Sequence, residues 1–336
     1  MKAIGYYQSL PIDDAASLQD IELPAPVAGP RDLLVRVNAI SVNPVDTKVR
    51  KNMAPEAGQA RVLGWDAAGT VEAVGSAVTG FQVGDRVYYA GSITRPGANS
   101  ELHVVDERIA AKTPQSLDDA QAAALPLTAI TAWELLFDRL GVPQGGGAGQ
   151  TLLVVGGAGG VGSILIQLAR QLTQLRVIAT ASRAETRAWC LSLGAHAVID
   201  HTKPLAAELQ AGGFGEVDLV AALTQTAQHY AQIIESLKPQ GKIGVIDDMP
   251  VLDAMPLKTK SLSLHWEMMF ARARFQTPDM AEQGKILAEL ATLVDAGRVR
   301  TTANASFGPI NAANLRLAHA LIESGTAQGK VVLQGF

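Results

Sequence analysis

Short runs that alternate apolar and polar residues dominate the first third of the chain. Turn residues (Gly, Pro and Asp) separate five such runs, each rich in the β-branched and aromatic residues that favour strands. The runs are MKAIGYY at 1–7, DLLVRVNAISV at 32–42, GTVEAVG at 69–75, DRVYYAG at 85–91 and ELHVVDERIAA at 101–111. This spacing predicts a compact antiparallel barrel or sandwich.

From about Asp118 the pattern becomes helical, and beyond Thr151 strands and helices alternate. The alternating units are TLLVV then GSILIQLARQL, RVIATA then RAETRAWCLSLG, and VDLVAAL then a helix that ends near Leu237. Such alternation predicts a parallel sheet with helices on both faces. Two more helical runs and the strand KVVLQGF follow, and this tail could return to the first domain.

Composition narrows the functional classes. A chain of 336 residues with 48% hydrophobic residues is expected to form two domains. The net charge of −4 gives no electrostatic footprint for nucleic acid or an anionic membrane. Apolar runs such as 151–155 are far too short to cross a bilayer, and MKAIGYYQSLPIDD lacks the apolar region of a secretory signal. A lone Cys190 excludes a disulfide framework, so we expect a cytoplasmic protein.

Two glycine clusters compete as phosphate-binding loops. QGGGAGQ at 144–150 precedes a strand and is typical of a connector, whereas GGAGGVG at 156–162 follows a strand and opens a helix. Only the second can aim a helix N-terminus at a phosphate. It contains the G-x-G-x-x-G pattern of dinucleotide-binding turns. The predicted cofactor-binding residues of this loop are Gly157, Gly159, Gly160, Val161 and Gly162.

The end of the next strand, IATASR at 178–183, distinguishes NADH from NADPH. An acidic side chain there would hold the ribose 2′-hydroxyl of NAD, and this segment has none. Ser182 can donate a hydrogen bond to a 2′-phosphate, and the Arg183 guanidinium can pair with it bidentately. NADPH is therefore favoured. The alternative is that Arg183 and Arg187 are solvated helix-surface charges near Glu185.

These residues, with the GDRV turn at 84–87, the LGWDAAGTVEAVG run at 63–75 and the phrases ISVNPVDTKVR and INAANL, resemble the medium-chain dehydrogenase/reductase superfamily over essentially the whole chain. Within it, the sequence is most similar to the quinone oxidoreductase-like branch and to proteins described as zinc-type alcohol dehydrogenase-like. The resemblance implies an α/β fold: a GroES-like β-barrel catalytic domain at 1–128 and 276–336, and a Rossmann domain with a doubly wound parallel sheet at 129–275. It also implies a homodimer joined through the Rossmann sheets.

Zinc-dependent members of the superfamily hold a catalytic metal with a Cys, a His and a second Cys. The resemblance places these ligands at Asn43, Trp65 and approximately Leu127, and none of the three is a usual zinc ligand. Asp46, Asp66 and the histidines remain as candidates. The six histidines, at 103, 196, 201, 229, 265 and 319, include no pair with the short helical spacing of a chelate. We therefore expect no bound metal.

Hydride transfer without a metal Lewis acid suits substrates whose reduced form delocalises charge. Quinones and α,β-unsaturated carbonyl compounds meet this condition, so the sequence predicts their NADPH-dependent reduction. One alternative is zinc-type alcohol dehydrogenase activity. Another is a catalytically weak NADPH-binding regulatory or structural protein, because the tyrosine that some quinone reductases carry has no match in KNMAP at 51–55.

Asn43, Asp46 and Thr131 are candidate catalytic residues, each with a structural alternative. Asn43 could donate to the substrate oxygen like an oxyanion hole, or be a turn residue held extended by the following proline. Asp46 could orient Asn43 or Lys48, or cap the next helix, and capping is favoured. Thr131 matches a family threonine near the nicotinamide, or it bonds back within its own helix.

Trp65 stands at the position of a ligand histidine. We expect it to wall an apolar substrate pocket, the alternative being a core tryptophan remote from the site, and Asp66 beside it is a candidate hydrogen-bond partner. His201 lies beside the adenosine phosphate in the resemblance, or is a solvated loop histidine. Asp247 and Asp248 lie near the nicotinamide, or are turn residues. SLSLHWEMMFARARFQ at 261–276 is a dimer edge, a substrate flap or a core strand.

Overall fold

The computed structural model describes residues 1–336, which form two compact units. Unit 1 comprises Met1–Ile130 and Phe270–Phe336, and unit 2 comprises Thr131–Met269. The chain thus leaves unit 1, builds unit 2 and returns; the domain boundaries expected from the sequence are 128 and 276.

Unit 1 contains ten strands, five α-helices and the start of a sixth. Its strands are β1 (Lys2–Tyr6), β2 (Gln19–Glu22), β3 (Asp32–Val42), β4 (Arg61–Val62), β5 (Ala67–Val74), β6 (Arg86–Tyr89), β7 (Leu102–Asp106), β8 (Ala110–Lys112), β15 (Ala303–Ser306) and β16 (Lys330–Gln334). Its helices are α1 (Pro44–Asn52), α2 (Asp119–Ala123), α9 (Phe270–Phe275), α10 (Glu282–Asp295) and α11 (Ala312–Glu323), and α3 (Pro126–Trp133) begins in it.

The main sheet of unit 1 has the order β15-β16-β3-β5-β6-β8, with β7 also paired to β3. In its long central strand β3 the side chains alternate between buried and more exposed from 32 to 39, as the period of two predicts, and the last four residues are all buried. Strand β16 pairs antiparallel with β3, with Val331 opposite Val42. The tail of the chain therefore completes the first domain, and the predicted antiparallel architecture is confirmed except for the parallel pair β15–β16.

Unit 2 is a parallel six-stranded sheet flanked by helices. Its strands are β9 (Thr151–Val155), β10 (Arg176–Thr180), β11 (Ala197–Ile199), β12 (Val217–Ala222), β13 (Leu237–Val245) and β14 (Ser263–Trp266). Its helices are α4 (Gly160–Leu172), α5 (Ala184–Ser192), α6 (Leu205–Ala211), α7 (Thr226–Ser236) and α8 (Met255–Lys258), and a π-helical segment at Glu134–Arg139 follows α3.

The strand order of unit 2 is β11-β10-β9-β12-β13-β14. This order reverses direction between β9 and β12, as in a doubly wound dinucleotide-binding sheet, and ligands of such sheets bind at the carboxyl ends of the strands near the reversal. All five residues of β9 are buried, which is why this strand is a continuous apolar run. The fold thereby positions the loop after Val155 as the candidate cofactor site.

The longest apolar helical run spans α2, α3 and the π-helical segment, and it is longer than the apolar runs seen in the sequence. Residues 119–139 form a helical run of 21 residues with mean hydropathy 1.2, long and apolar enough by composition to cross a bilayer. However, 83% of this window is buried inside the protein. Its apolar composition is therefore explained by core packing.

Candidate active site

The glycine loop after β9 makes a tight turn into α4. Gly156 has φ of 86°, a left-handed conformation that favours glycine. A Cβ at Gly162 would lie 2.5 Å from the Gly156 carbonyl oxygen, and one at Gly157 would lie 2.7 Å from Ala179 Cβ. These glycines are required because helix, turn and neighbouring strand approach one another too closely for a side chain.

The N-terminus of α4 is built to receive an anion. Gly159 is the N-cap and makes no side-chain capping hydrogen bond, so the first N–H groups of a 13-residue helix have no side-chain acceptor. Only the Gly156 carbonyl oxygen, at 3.5 Å, would meet a Cβ on Gly159. The space beside Gly159 is open, and this is where the sequence predicts that Gly160 and Val161 receive a pyrophosphate.

Ser182 and Arg183 lie exposed just beyond the end of β10. Arg183 is the N-cap of α5, and its Nε lies 3.0 Å from Glu185 Oε1. Such an exposed ion pair contributes little, so the guanidinium can exchange it for a phosphate. Arg187 differs from expectation: it is half-buried and donates to the carbonyl oxygens of Ala181 and Val198, so it is not a solvated surface charge.

His201 is connected to the glycine loop through a residue that the sequence analysis missed. The Thr180 hydroxyl oxygen accepts a hydrogen bond from the Gly156 N–H at 3.0 Å and lies 3.2 Å from His201 Nδ1. The ring of His229 packs edge-on against His201, with centroids 6.1 Å apart. Burial lowers the pKa of both histidines. His201 is therefore neutral at pH 7 and can offer a phosphate a hydrogen bond but no charge.

Asp247, after β13, is held by the start of α7. Its Oδ2 accepts from the Thr226 N–H at 2.9 Å, and its Oδ1 accepts from the Thr226 hydroxyl. The N-cap of that helix, Gln225, has a left-handed backbone and provides no cap of its own. Asp247 therefore caps α7 in trans, with its charge at the positive end of the helix. The turn alternative explains the Asp247 side chain.

Asn43, Asp66 and Lys330 form a buried polar cluster in unit 1. Lys330 opens β16, yet it is only 2% exposed, and its ammonium lies 3.0 Å from Asp66 Oδ2. It also donates to Asn43 Oδ1 at 2.5 Å and to the Val42 carbonyl oxygen at 3.0 Å. Asn43 Nδ2 donates to Asp66 Oδ2 at 2.8 Å. Lysine, carboxylate and amide thus close a ring of hydrogen bonds.

This ring corrects the expectation that Asn43 is an oxyanion-hole donor. Its amide nitrogen donates to Asp66 and, at 3.4 Å, to the Ser41 carbonyl oxygen, so both amide hydrogens are used. The side chain is buried at 1% exposure. Asn43 is the extended N-cap of α1, as its proline neighbour predicts, and its amide faces the cluster instead of a substrate.

Asp46 has the capping geometry that the sequence favoured. Its two carboxylate oxygens accept from the backbone N–H groups of Asn43, at 2.7 Å, and Gly64, at 3.0 Å. It thereby joins the start of α1 to the segment before β5. Burial raises the pKa of Asp46 to about 7, the nearby Asp66 carboxylate adds to the rise, and the two N–H groups and the Lys330 charge oppose it.

Asp66 joins the cluster to the first turn of α3. Its Oδ1 accepts from the Leu127 N–H at 2.7 Å, which places a carboxylate at the positive end of that helix. Burial raises the pKa of Asp66, while the Lys330 ammonium, the Asn43 amide and the Leu127 N–H oppose that rise. Each oxygen of this carboxylate has a hydrogen-bond donor, so the buried charge is both paired and solvated by the protein.

Trp65 is a packed residue. It is 4% exposed, its Nε1 donates to the Ser92 carbonyl oxygen at 3.2 Å, and its ring meets Phe270 edge-on with centroids 6.0 Å apart. These contacts match the alternative of a core tryptophan within unit 1. Thr131, in α3, is also buried, at 5% exposure.

The residues of unit 1 do not fit a zinc ion. Zinc sites in proteins use Cys, His and carboxylate ligands, and nowhere in the chain do three His, Cys, Asp or Glu side chains converge on one point. At the positions where the resemblance expects ligands, the Asn43 amide is engaged with Asp66 and Lys330 and the Trp65 indole is engaged with Ser92. Of the two nearby carboxylates, Asp46 accepts from the Asn43 and Gly64 N–H groups and Asp66 neutralises the Lys330 ammonium.

Lys330 is the main residue that sequence reasoning missed. The sequence GKVVLQGF predicts only that Lys330 is the polar first residue of a terminal strand. Its partner Asp66 is 264 positions away in the chain. A signal was present in the resemblance, because the ligand positions had lost their metal donors while Asp66 remained as a negative charge in an apolar run. A buried carboxylate requires a counter-charge.

Comparisons with known proteins agree with this fold. Residues 29–115 match the alcohol dehydrogenase GroES-like domain family, and residues 193–333 match the zinc-binding dehydrogenase family. A zinc-type alcohol dehydrogenase-like protein of Staphylococcus aureus is 39% identical, with 99% of each chain covered.

Solved structures extend the likeness to both branches of the family. A Rhizobium etli protein provisionally described as a zinc-dependent alcohol dehydrogenase is 57% identical, with a TM-score of 0.96, over 100% of this chain and 98% of that one. The quinone oxidoreductase of Escherichia coli, in complex with NADPH, is 25% identical, with a TM-score of 0.84. The likeness covers 99% of this chain and 100% of that one. These likenesses support a nicotinamide cofactor, and the chain belongs to the medium-chain dehydrogenase/reductase superfamily of oxidoreductases.

Proposed function

We propose that the protein is a zinc-independent, NADPH-dependent reductase that transfers a hydride to a quinone or an α,β-unsaturated carbonyl compound. The observation that carries the proposal is the ring of Asn43, Asp66 and Lys330. It fills the region of the superfamily's metal ligands with a charge-balanced cluster. A substrate of this protein must therefore be reduced without a zinc Lewis acid.

The choice of substrate class follows from the charge that the reaction creates. Reduction of a simple ketone produces a strongly basic alkoxide, which a metal would stabilise by several kcal/mol. Reduction of an enone produces an enolate, and reduction of a quinone produces a hydroquinone anion, and both spread the charge over the molecule. NADPH, when bound, supplies the hydride, and water is the proton donor that the proposal requires.

In this proposal the residues of unit 2 bind and orient the cofactor. The N-terminus of α4 receives the pyrophosphate, with Gly157 and Gly162 permitting the close approach. Ser182 and Arg183 receive the 2′-phosphate, and the Thr180 hydroxyl holds His201 beside the loop. In unit 1, Asp46 and the Lys330 ring hold the segment that carries Trp65.

The test is NADPH oxidation by chelator-treated protein with a panel of quinones and enones, and with simple ketones and alcohols as controls. We expect turnover of conjugated substrates that chelator and added zinc leave unchanged. Activity that disappears with chelator and returns with zinc would establish the alternative, a zinc-type alcohol dehydrogenase. Tight NADPH binding without turnover of any substrate would establish the second alternative, a regulatory or structural NADPH-binding protein.

Cofactor preference is tested by Arg183→Ala. Loss of one charge-assisted contact is expected to raise the KM for NADPH on the order of tenfold. The KM for NADH in the same variant is the internal control and should change little, because NADH has no 2′-phosphate. A parallel rise for both cofactors would contradict the assignment of Arg183.

The proposal includes a cytoplasmic homodimer. Strand β14 is the free edge of the unit 2 sheet, and Trp266 and Met268 at its end are 48% and 46% exposed. Such an edge with exposed apolar side chains is suited to pairing with a second copy. A monomeric mass in solution at micromolar concentration would contradict it.

A further inference from the structure

The ammonium of Lys330 has a complete set of partners. It carries three N–H groups and meets three oxygens, from the Val42 carbonyl, the Asn43 amide and the Asp66 carboxylate, at 3.0, 2.5 and 3.0 Å. The side chain is buried, so water does not contribute to this shell. These distances suit hydrogen bonds from an ammonium, because zinc–ligand distances are shorter, at about 2.0–2.3 Å. Zinc also prefers nitrogen and sulfur ligands to the oxygens present here.

The cluster connects segments that are distant in sequence. Lys330 opens β16, Asn43 caps α1, Asp66 precedes β5, and the Leu127 N–H at the start of α3 binds the other oxygen of Asp66. A metal ion commonly organises such distant segments by binding a ligand from each. In this chain the same connection passes through one organic cation.

We propose that this part of unit 1 is a primary-ammonium site in place of a metal site, with Lys330 as its built-in occupant and as the positioning residue for the Gly64–Asp66 segment that carries Trp65. The site selects a primary ammonium because it offers three oxygen acceptors, one of them charged. It discriminates against zinc because it offers no nitrogen or sulfur ligand. The inference rests on the proposed function for its kinetic readout only.

The proposal predicts chemical rescue. Lys330→Ala removes three methylenes and the ammonium, and n-propylammonium contains the same groups. We expect the substitution to lower Tm by roughly 10 °C, because it leaves Asp66 buried without its counter-charge. Added n-propylammonium should raise the Tm of Lys330→Ala saturably, while tetramethylammonium, which has no N–H, and Zn²⁺ should not.

The matched control is Lys112→Ala. Lys112 also lies in a strand and pairs with a carboxylate, Asp85 at 3.1 Å, but its side chain is 60% exposed. Its loss should change Tm little, and n-propylammonium should not restore it. Equal responses of wild type, Lys112→Ala and Lys330→Ala to n-propylammonium would overturn the proposal, as would stronger stabilisation of Lys330→Ala by Zn²⁺.

A second variant keeps the test decisive if Lys330→Ala does not fold. The double variant Lys330→Met/Asp66→Asn removes both charges and should be more stable than either single variant. A double variant no more stable than its singles would overturn the proposal, because Lys330 would then not be the counter-charge of the cluster.

The kinetic readout separates positioning from bulk stability. Below the Tm of Lys330→Ala, n-propylammonium should raise kcat for an enone at saturating NADPH, and it should leave the Kd for NADPH unchanged because the cofactor loop lies in unit 2. Rescue of Tm without rescue of kcat would overturn the positioning role. Wild-type protein that turns over no substrate would refute the proposed function, while rescue of Tm would still establish the ammonium site.

Discussion

Each unit of the protein buries a cluster of charged side chains, and the two clusters are neutralised in different ways. In unit 1 the Asp66 carboxylate is neutralised by the Lys330 ammonium, and the Asn43 amide bonds to both. In unit 2 the buried carboxyl groups of Glu134 and Glu267 are neighbours, and the Arg139 guanidinium donates to Glu267 at 2.7 Å.

A proton neutralises Glu267 in the unit 2 cluster. Burial raises the pKa of Glu267 to about 9, and the neighbouring Glu134 charge adds to the rise while Arg139 opposes it. At neutral pH Glu267 is therefore protonated. A fixed cation therefore neutralises Asp66 in unit 1, where the neighbouring Asp46 has a pKa of about 7, whereas a proton neutralises Glu267 in unit 2, and that neutralisation depends on pH.

The largest effect is expected from removing the fixed charge balance of unit 1. Asp66→Asn leaves the Lys330 ammonium buried without a carboxylate and should lower the free energy of unfolding by about 3–5 kcal/mol. Denaturant unfolding at pH 7 measures this loss. A change below about 1 kcal/mol would contradict the view that the ion pair holds the cluster together.

An intermediate effect is expected in unit 2, and it should depend on pH. The folded-state pKa of Glu267 lies above its ordinary value of 4.5, so its stabilisation is complete at low pH and decreases as pH rises toward about 9. Glu267→Gln imitates the protonated acid and removes this decrease. From pH 5 to pH 7 the free energy of unfolding of the variant should therefore rise by about 2–3 kcal/mol relative to that of wild type.

Thermal or urea unfolding of both proteins across this pH range measures the difference. A difference that does not vary with pH would mean that Glu267 is ionised in the folded state, and the contrast between the clusters would then disappear.

The smallest effect is expected at the surface, where burial plays no part. Lys285 pairs with Glu282 at 2.7 Å in α10, with side chains 70% and 43% exposed. Lys285→Ala should cost less than about 0.5 kcal/mol, measured in the same denaturant titration. A cost comparable with that of Asp66→Asn would show that ion pairing alone, independent of burial, determines these effects.

The parts of the fold that sequence predicts well are those specified by local pattern. The alternation in β3, the apolar run of β9 and the glycine turn into α4 are each determined by neighbours in the chain, and each lies where expected. Gly157 and Gly162 carry a local steric requirement that can be recognised without a structure.

The unit 1 cluster could be predicted only in part, because its hydrogen bonds join residues hundreds of positions apart. Asn43 and Asp66 were identified as unusual, but the sequence does not show which partners satisfy their polar atoms. Asp66 and the Ser41 carbonyl oxygen accept both amide hydrogens of Asn43, so none is left for a substrate. The role of Asp46 was predictable because its contacts with α1 are local.

The position of Lys330 also affects the order in which the protein can assemble during synthesis. Residues 1–130 leave the ribosome first, yet Asp66 has no counter-charge and β3 lacks its neighbour β16 until residue 330 has been made. The whole of unit 2 is translated in that interval, and it can fold as a continuous segment. The first domain therefore stays incomplete until the whole second domain has been translated.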